Sequence, residues 1–364
     1  MWWRRHSCRD DGPGKNPMTK IKRKRLVNTP IRLTIILAIT TALLTPATTH
    51  AAVEPPSATN FPNQPITILI PRGRGGGSHQ LSSRVAVALE KTLGTTILLE
   101  NKPGEDGKEA IYHYDTQPPN GYTILQHVDD IASLYAKNDI RINPAQDDLI
   151  PLAIGQVTFS QLYIRETEDR FNDLTSFIDY AKAHPNKIKV AIVGHHGSME
   201  SVLLDAVERK TGVCFQYAPY NKPVDRYLSL VEKDVDALVE QPGDVSPFLD
   251  LKLIRPVLTL LPSRPIEFPN TPSAGELDNE FPELYRFRAF FVHAATPDPV
   301  KQTLMTAFDN VLGSQDFEEF NTQKYMTVDA KYRALDGAKS LIQQTIANYQ
   351  NMAKSGRTIH QCEQ

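Results

Sequence analysis

The chain has 364 residues, with 40 basic and 42 acidic side chains and three cysteines. Residues 1–51 hold 10 of the basic and 2 of the acidic groups, so the other 313 residues carry 30 and 40, a net charge of −10. Such an acidic body lacks the surface that neutralises phosphates, which argues against nucleic acid as a partner. Its length suffices for two domains with separate cores.

In chain order, Lys20, Lys22, Arg23, Lys24 and Arg25 precede a mostly apolar stretch from Leu33 to Leu44, and Thr49-His50-Ala51 offers small residues at a cleavage site. This is the pattern of an export signal over 18–51, cleaved near Ala51. As a helix the stretch would rise only about 18 Å, short of a bilayer core of about 30 Å. Because Met18 stands just before the basic run, residues 1–17 are expected to be an upstream extension.

Ile66 to Leu93 predicts a buried strand, a glycine-rich turn and an amphipathic helix. Leu81, Val85, Leu89 and Leu93 recur every four residues and share one helical face. Ser78 suits the N-cap and Gly94 the C-terminus. Gly75, Gly76 and Gly77 leave backbone N–H groups uncovered at the positive end of this helix, an arrangement that favours an anion. Thr95–Glu100 and Tyr122–Leu125 read as further strands, with a helical patch around Ala110–Tyr114 between them. Residues 151–165 are strand-like, and the chain is expected to leave its first lobe there. Strand, glycine-bearing turn and Ser-capped helix then recur at Ile188–Val193, Gly194-His195-His196-Gly197-Ser198 and the run ended by Gly212. The alternation implies an α/β fold of two related lobes, each offering a helix N-terminus. Val213–Tyr217, Val235–Val239 and Leu253–Leu260 follow as strands and Pro262–Asn279 as a long loop. Arg286–Ala294 is a candidate return crossing, and 298–312, 315–324 and 337–354 are helical by pattern.

Several motifs, in order, resemble the Bug-type extracytoplasmic solute receptors of the tripartite tricarboxylate transporter system. Phe61-Pro62-Asn63-Gln64-Pro65-Ile66-Thr67 leads through Pro71 to Gly75-Gly76-Gly77-Ser78. Leu99 to Gly104 and Pro119-Asn120-Gly121-Tyr122-Thr123 come next. Ala183-His184-Pro185, Pro219-Tyr220, Val235-Asp236, Pro269 to Pro272 and Thr296 to Pro299 complete the order over about residues 61–355. The resemblance implies a two-lobe periplasmic binding protein of the type II class with two hinge crossings. Lobe I would comprise 61–157 and 286–364, and lobe II 158–285. Closure about a hinge near Val157 and Arg286 would trap a small organic acid or amino-acid-like ligand, gripped by backbone N–H groups of the loops Arg74–His79 and Gly194–Ser198. A monomer working with membrane transporter subunits is expected, with no cofactor and no catalysis.

The departures from the family pattern fall at the expected cleft. His79 stands where an aspartate is usual, Arg72 and Arg74 where apolar residues are usual, and Asp129 and Asp130 replace small polar residues. The second-lobe loop carries His195 and His196, Asn221 falls in an altered Pro-Tyr loop, and Glu240 replaces an aspartate. Inward-pointing Arg72 and Arg74 would clamp a carboxylate, whereas solvent-facing ones would set only surface charge. Asp129 and Glu240 suit an ammonium or hydroxyl. His79, His195 and His196 lack metal-ligand spacing, so no metal is expected. Cys214 and Cys362 could pair in an oxidising compartment or remain thiols.

Two other classes share part of this pattern. A dinucleotide-binding enzyme is suggested by Gly73-Arg74-Gly75 after a strand and by Glu100, but Ser78 replaces the third glycine of the fingerprint. A sensory or interaction protein with the receptor fold would share every feature above.

Overall fold

A computed structural model describes residues 60–146, 148–194, 197–326 and 330–354. The expected extension and export signal, together with His195, His196 and Cys362, lie outside the described residues.

Ile66–Ile70 (β1) has no polar residue except Thr67 and is almost wholly buried, as a strand covered on both faces must be. Gly77–Leu93 (α1) lays Leu81, Val85 and Leu89 against it. Gly94 closes this helix in the left-handed region, at φ 66°. The N-cap is Gly76, two residues before the expected Ser78, because the extended backbone at Gly76 (φ −78°, ψ 171°) already turns into the helix. Ile97–Asn101 (β2), Lys108–Asp115 (α2), Thr123–Val128 (β3), Asp130–Ala136 (α3) and Leu149–Thr158 (β4) follow.

Only Phe159 and Ser160 separate β4 from Gln161–Arg165 (β5), which belongs to a second sheet. Leu174–Ala183 (α4) is opened by an Asp173–Ser176 capping box. Then come Ile188–Ile192 (β6), Met199–Thr211 (α5), Phe215–Pro219 (β7), Pro223–Val231 (α6), Ala237–Glu240 (β8), Ser246–Asp250 (α7) and Ile254–Thr259 (β9). Arg286–His293 (β10) returns to the first sheet, ahead of Asp298–Leu312 (α8), Gln315–Gln323 (α9) and Leu335–Lys354 (α10). Helix α6 falls in a stretch left unassigned from the sequence; its local signals are Pro223 at the start, a favoured first helical position, and the shared buried face of Pro223, Tyr227 and Leu230.

The sheets are ordered β2-β1-β3-β10-β4 and β7-β6-β8-β5-β9. In each, four strands run in one direction, and the strand that arrives by a crossing, β10 or β5, is antiparallel to both neighbours. The molecule is therefore two α/β lobes with the same strand plan, joined by two crossings. Helices cover both faces of each sheet: α1 and α8 oppose α2, α3 and α10 on the first, and α4 and α5 oppose α6 and α7 on the second. Val157 pairs with Phe287 and Thr158 with Arg286 where both segments leave the first sheet.

Candidate functional site

The positive end of α1 has neither a side-chain cap nor an acidic residue in its first turn. Its leading N–H groups have no acceptor within the helix. Helix α5 differs. Ser198 caps it, accepting from the Ser201 amide at 3.4 Å, and Glu200 supplies a carboxylate in the first turn. Unlike α5, α1 carries no cap side chain and no acid of its own at its positive end.

Gly76, Gly77 and Ser78 line a cavity of about 40 Å3 between the two sheets, walled also by Asn221, Arg226, Glu240, Asp244 and Arg288. That is room for about one water molecule. Side chains fill the rest of the cleft. Arg288 donates from one terminal nitrogen to Asp244 Oδ2 at 2.6 Å and from the other to Gln156 Oε1 at 2.8 Å. Arg286 reaches Glu200 Oε1 at 2.6 Å, Asp129 Oδ1 at 2.9 Å and Asp130 Oδ2 at 3.3 Å. Arg226 Nε donates to Glu240 Oε2 at 3.0 Å, and Arg72 is paired with Asp130. The Arg288–Asp244 and Arg286–Glu200 pairs run from one lobe to the other. So does the 2.6 Å hydrogen bond from Lys137 Nζ to the Gly197 carbonyl.

Four arginines thus meet five carboxylates. Burial pushes Asp129 up to about 7, although Arg286 pulls it down. Burial acts on Asp130 in the same direction, but Arg72 and Arg286 together outweigh it and hold this group at about 2. His127, fully enclosed, is pushed down to about 4 and is neutral at pH 7. The cluster therefore lies near internal charge balance, with every arginine already engaged.

The structure places the expected residues as follows. Arg72, Gly76, Gly77, Ser78, Asn221 and Glu240 share the small cavity. Arg74 and Gly75 are exposed, so Arg74 belongs to the surface and forms no clamp with Arg72. His79 is half-buried, with Nδ1 enclosed and unpartnered. Asp129 lies beneath Arg286 and Tyr349, whose hydroxyl is 3.4 Å away. Glu240 faces Arg226, an internal cation, where a ligand ammonium or hydroxyl is expected from the sequence. A side chain at Gly194, which has φ +74°, would meet Asp106 Oδ1 at 2.9 Å. Gly197 and Ser198 open instead on a neighbouring hollow of about 430 Å3, beside Asp106, Lys137 and Tyr349. The two loops expected to face each other across one cavity thus line two adjacent ones, separated by the Arg72–Asp130–Arg286 cluster. Cys214 is disulfide-bonded.

Arg226, Arg288, Glu200 and Asp244 are not named by the sequence reading, and Arg286 is named there only as a hinge position. A signal for two of them was available. In Arg286-Phe287-Arg288 the alternation puts both arginines on one face of a strand that is otherwise apolar up to His293, and a buried charge needs a partner.

The profile of the tripartite tricarboxylate transporter family receptor matches residues 81–359. A UPF0065 protein of Bordetella pertussis is 24% identical over 270 residues, 72% of this chain and 81% of that protein. BugT of the same organism is 23% identical over 249 residues, 68% and 75% of the two chains. Among solved structures, the periplasmic binding protein BugD is similar with a TM-score of 0.73 at 20% identity, over 81% of this chain and 98% of BugD. MatC of Rhodopseudomonas palustris, with bound malate, has a TM-score of 0.72 at 23% identity, over 80% and 99%. A second R. palustris protein, with adipate, has a TM-score of 0.69 at 19% identity, over 81% and 98%. At these identities the structures establish the fold, and the profile match, which spans most of the sequence, establishes the family: the chain belongs to the tripartite tricarboxylate transporter receptor family.

Proposed function

We propose that this protein is an exported solute receptor that captures a small carboxylate-bearing metabolite between its lobes and passes it to the membrane subunits of a tripartite tricarboxylate-type transporter. The observation that carries the reading is the start of α1, with no cap side chain or acid of its own, opening into the inter-lobe cavity beside Arg226 and Arg288. Backbone amides at a helix N-terminus and a guanidinium are the two groups best suited to a carboxylate. Malate in MatC and adipate in its R. palustris counterpart are acids of this class. Export is assigned to residues 18–51, with cleavage near Ala51 and action in the periplasm. The role is binding, with no covalent step assigned to any residue.

Titration calorimetry on residues 52–364 with a panel of mono- and dicarboxylic acids tests this. At least one acid should bind and raise the melting temperature. A panel without a binder, beside a neutral sugar or a cation that does bind, would refute it.

A further inference from the structure

A cleft already closed to about 40 Å3 has its anion seat filled from within. Asp244 lies in the turn between β8 and α7 of the second lobe, and its amide donates to the Gln241 carbonyl at 3.1 Å. Its carboxylate crosses to the first lobe and stops against the first residue of α1. A methyl group at Gly77 would lie 2.3 Å from Asp244 Oδ1 and 2.0 Å from a terminal nitrogen of Arg288. The carboxylate of one lobe thus rests at the positive helix end of the other, with a guanidinium beside it. That is the constellation that would receive a ligand's carboxylate.

Arg288 is built to read that group. It is 2% exposed, and its Nε has no hydrogen-bond partner. Gln156 Oε1 holds its far nitrogen, and Gln156 is itself fixed by donating to Asn321 Oδ1 at 3.0 Å. An immobilised guanidinium at the cavity wall, with a donor left unpaired, suits an exchangeable carboxylate partner.

Resting on the receptor reading above, we propose that Asp244 is an internal surrogate ligand. It occupies the carboxylate seat formed by Arg288 and the first turn of α1, and an incoming carboxylate replaces it there. Because Asp244 is tethered, it competes at a high effective concentration. The empty receptor is therefore held shut by its own side chain, and the apparent affinity for any acid is lowered by that competition.

The test uses residues 52–364 with acetate as the probe, and chloride at equal ionic strength as the control. In Asp244→Ala the seat is vacated. This variant should scatter as a more open particle than the unaltered protein in chloride and close again in acetate. It should bind acetate at least about tenfold more tightly than the unaltered protein, the factor carried by one hydrogen bond to a charged group. In the double variant Asp244→Ala/Arg288→Gln this acetate effect should vanish. Should Asp244→Ala not fold, recovery in acetate alone reads the same seat. Equal acetate affinity with and without Asp244, an acetate effect that survives loss of Arg288, or no recovery in either salt overturns the proposal. A receptor whose natural ligand is not an acid would still show acetate uptake by Asp244→Ala, so the two readings fail separately.

Discussion

Replacing Gly77 with alanine puts a methyl group into the most crowded point of the cleft, 2.0 Å from Arg288 and 2.3 Å from Asp244 Oδ1. Gly77 is the first residue of α1 and has no positive φ, so alanine brings no backbone strain. Squeezing the methyl into the closed cleft costs about 1–3 kcal/mol. Breaking the buried pair without moving the lobes costs more, about 3–5 kcal/mol. The cheapest relief is for the lobes to part, which withdraws Asp244 from α1. The closed form should then lose about 1–3 kcal/mol relative to the open one, a factor of roughly 5–150 in their ratio. Small-angle scattering should show an expanded Gly77→Ala protein, while denaturant titration should show little change in global stability. Gly94→Ala is the contrasting control. No atom lies within 4 Å of its added methyl, but its φ is +66°, so its cost of about 1–2 kcal/mol is purely conformational. That cost should lower global stability without opening the cleft. A Gly77→Ala protein indistinguishable from the parent in both measurements would refute the placement of the Arg288–Asp244 pair.

Asp129 predicts a pH effect of definite sign. Its folded value of about 7 exceeds its ordinary 3.8, so between these values the folded protein keeps a proton that the unfolded chain has released. Stability is therefore lost as pH rises through that window, by up to about 1.4 kcal/mol per pH unit. Asp130, held at about 2, acts oppositely: its contribution is present above its ordinary value and disappears as pH falls through about 2. Urea titrations from about pH 5 to pH 8 should show Asp129→Asn gaining on the parent as pH rises, and parallel profiles would contradict the shift. For the disulfide at Cys214, Cys214→Ser should cost about 2–4 kcal/mol. Calorimetry with and without reductant should find the parent sensitive and the variant not, and a variant still sensitive would point to a different stabilising bond.

Local pattern gave much of the scaffold. The four-residue spacing from Leu81, the left-handed closures at Gly94 and Gly212, and Ser198 as the α5 cap all depend on neighbours in the chain. The glycine turn before α1 was visible for the same reason. The cleft's interior was not, because its chemistry is made of long-range pairs. Arg288 meets Asp244 across 44 positions and Arg286 meets Asp130 across 156. No periodicity encodes which carboxylate an arginine will find. Arg72 and Arg74 show the limit clearly: two residues apart in one turn, one is tied to Asp130 and the other faces solvent. Helix α6 is legible in local terms, since Pro223 opens it and Tyr227 and Leu230 share its buried face.

The central claim is that a carboxylate is held at Arg288 and the first turn of α1. It is tested most directly by native mass spectrometry of the exported protein purified without added acid, with the released molecule identified. The account predicts a small carboxylic acid that is retained by the parent and missing from Arg288→Gln. A released ligand with no carboxylate, or the same acid held equally by both proteins, would contradict it.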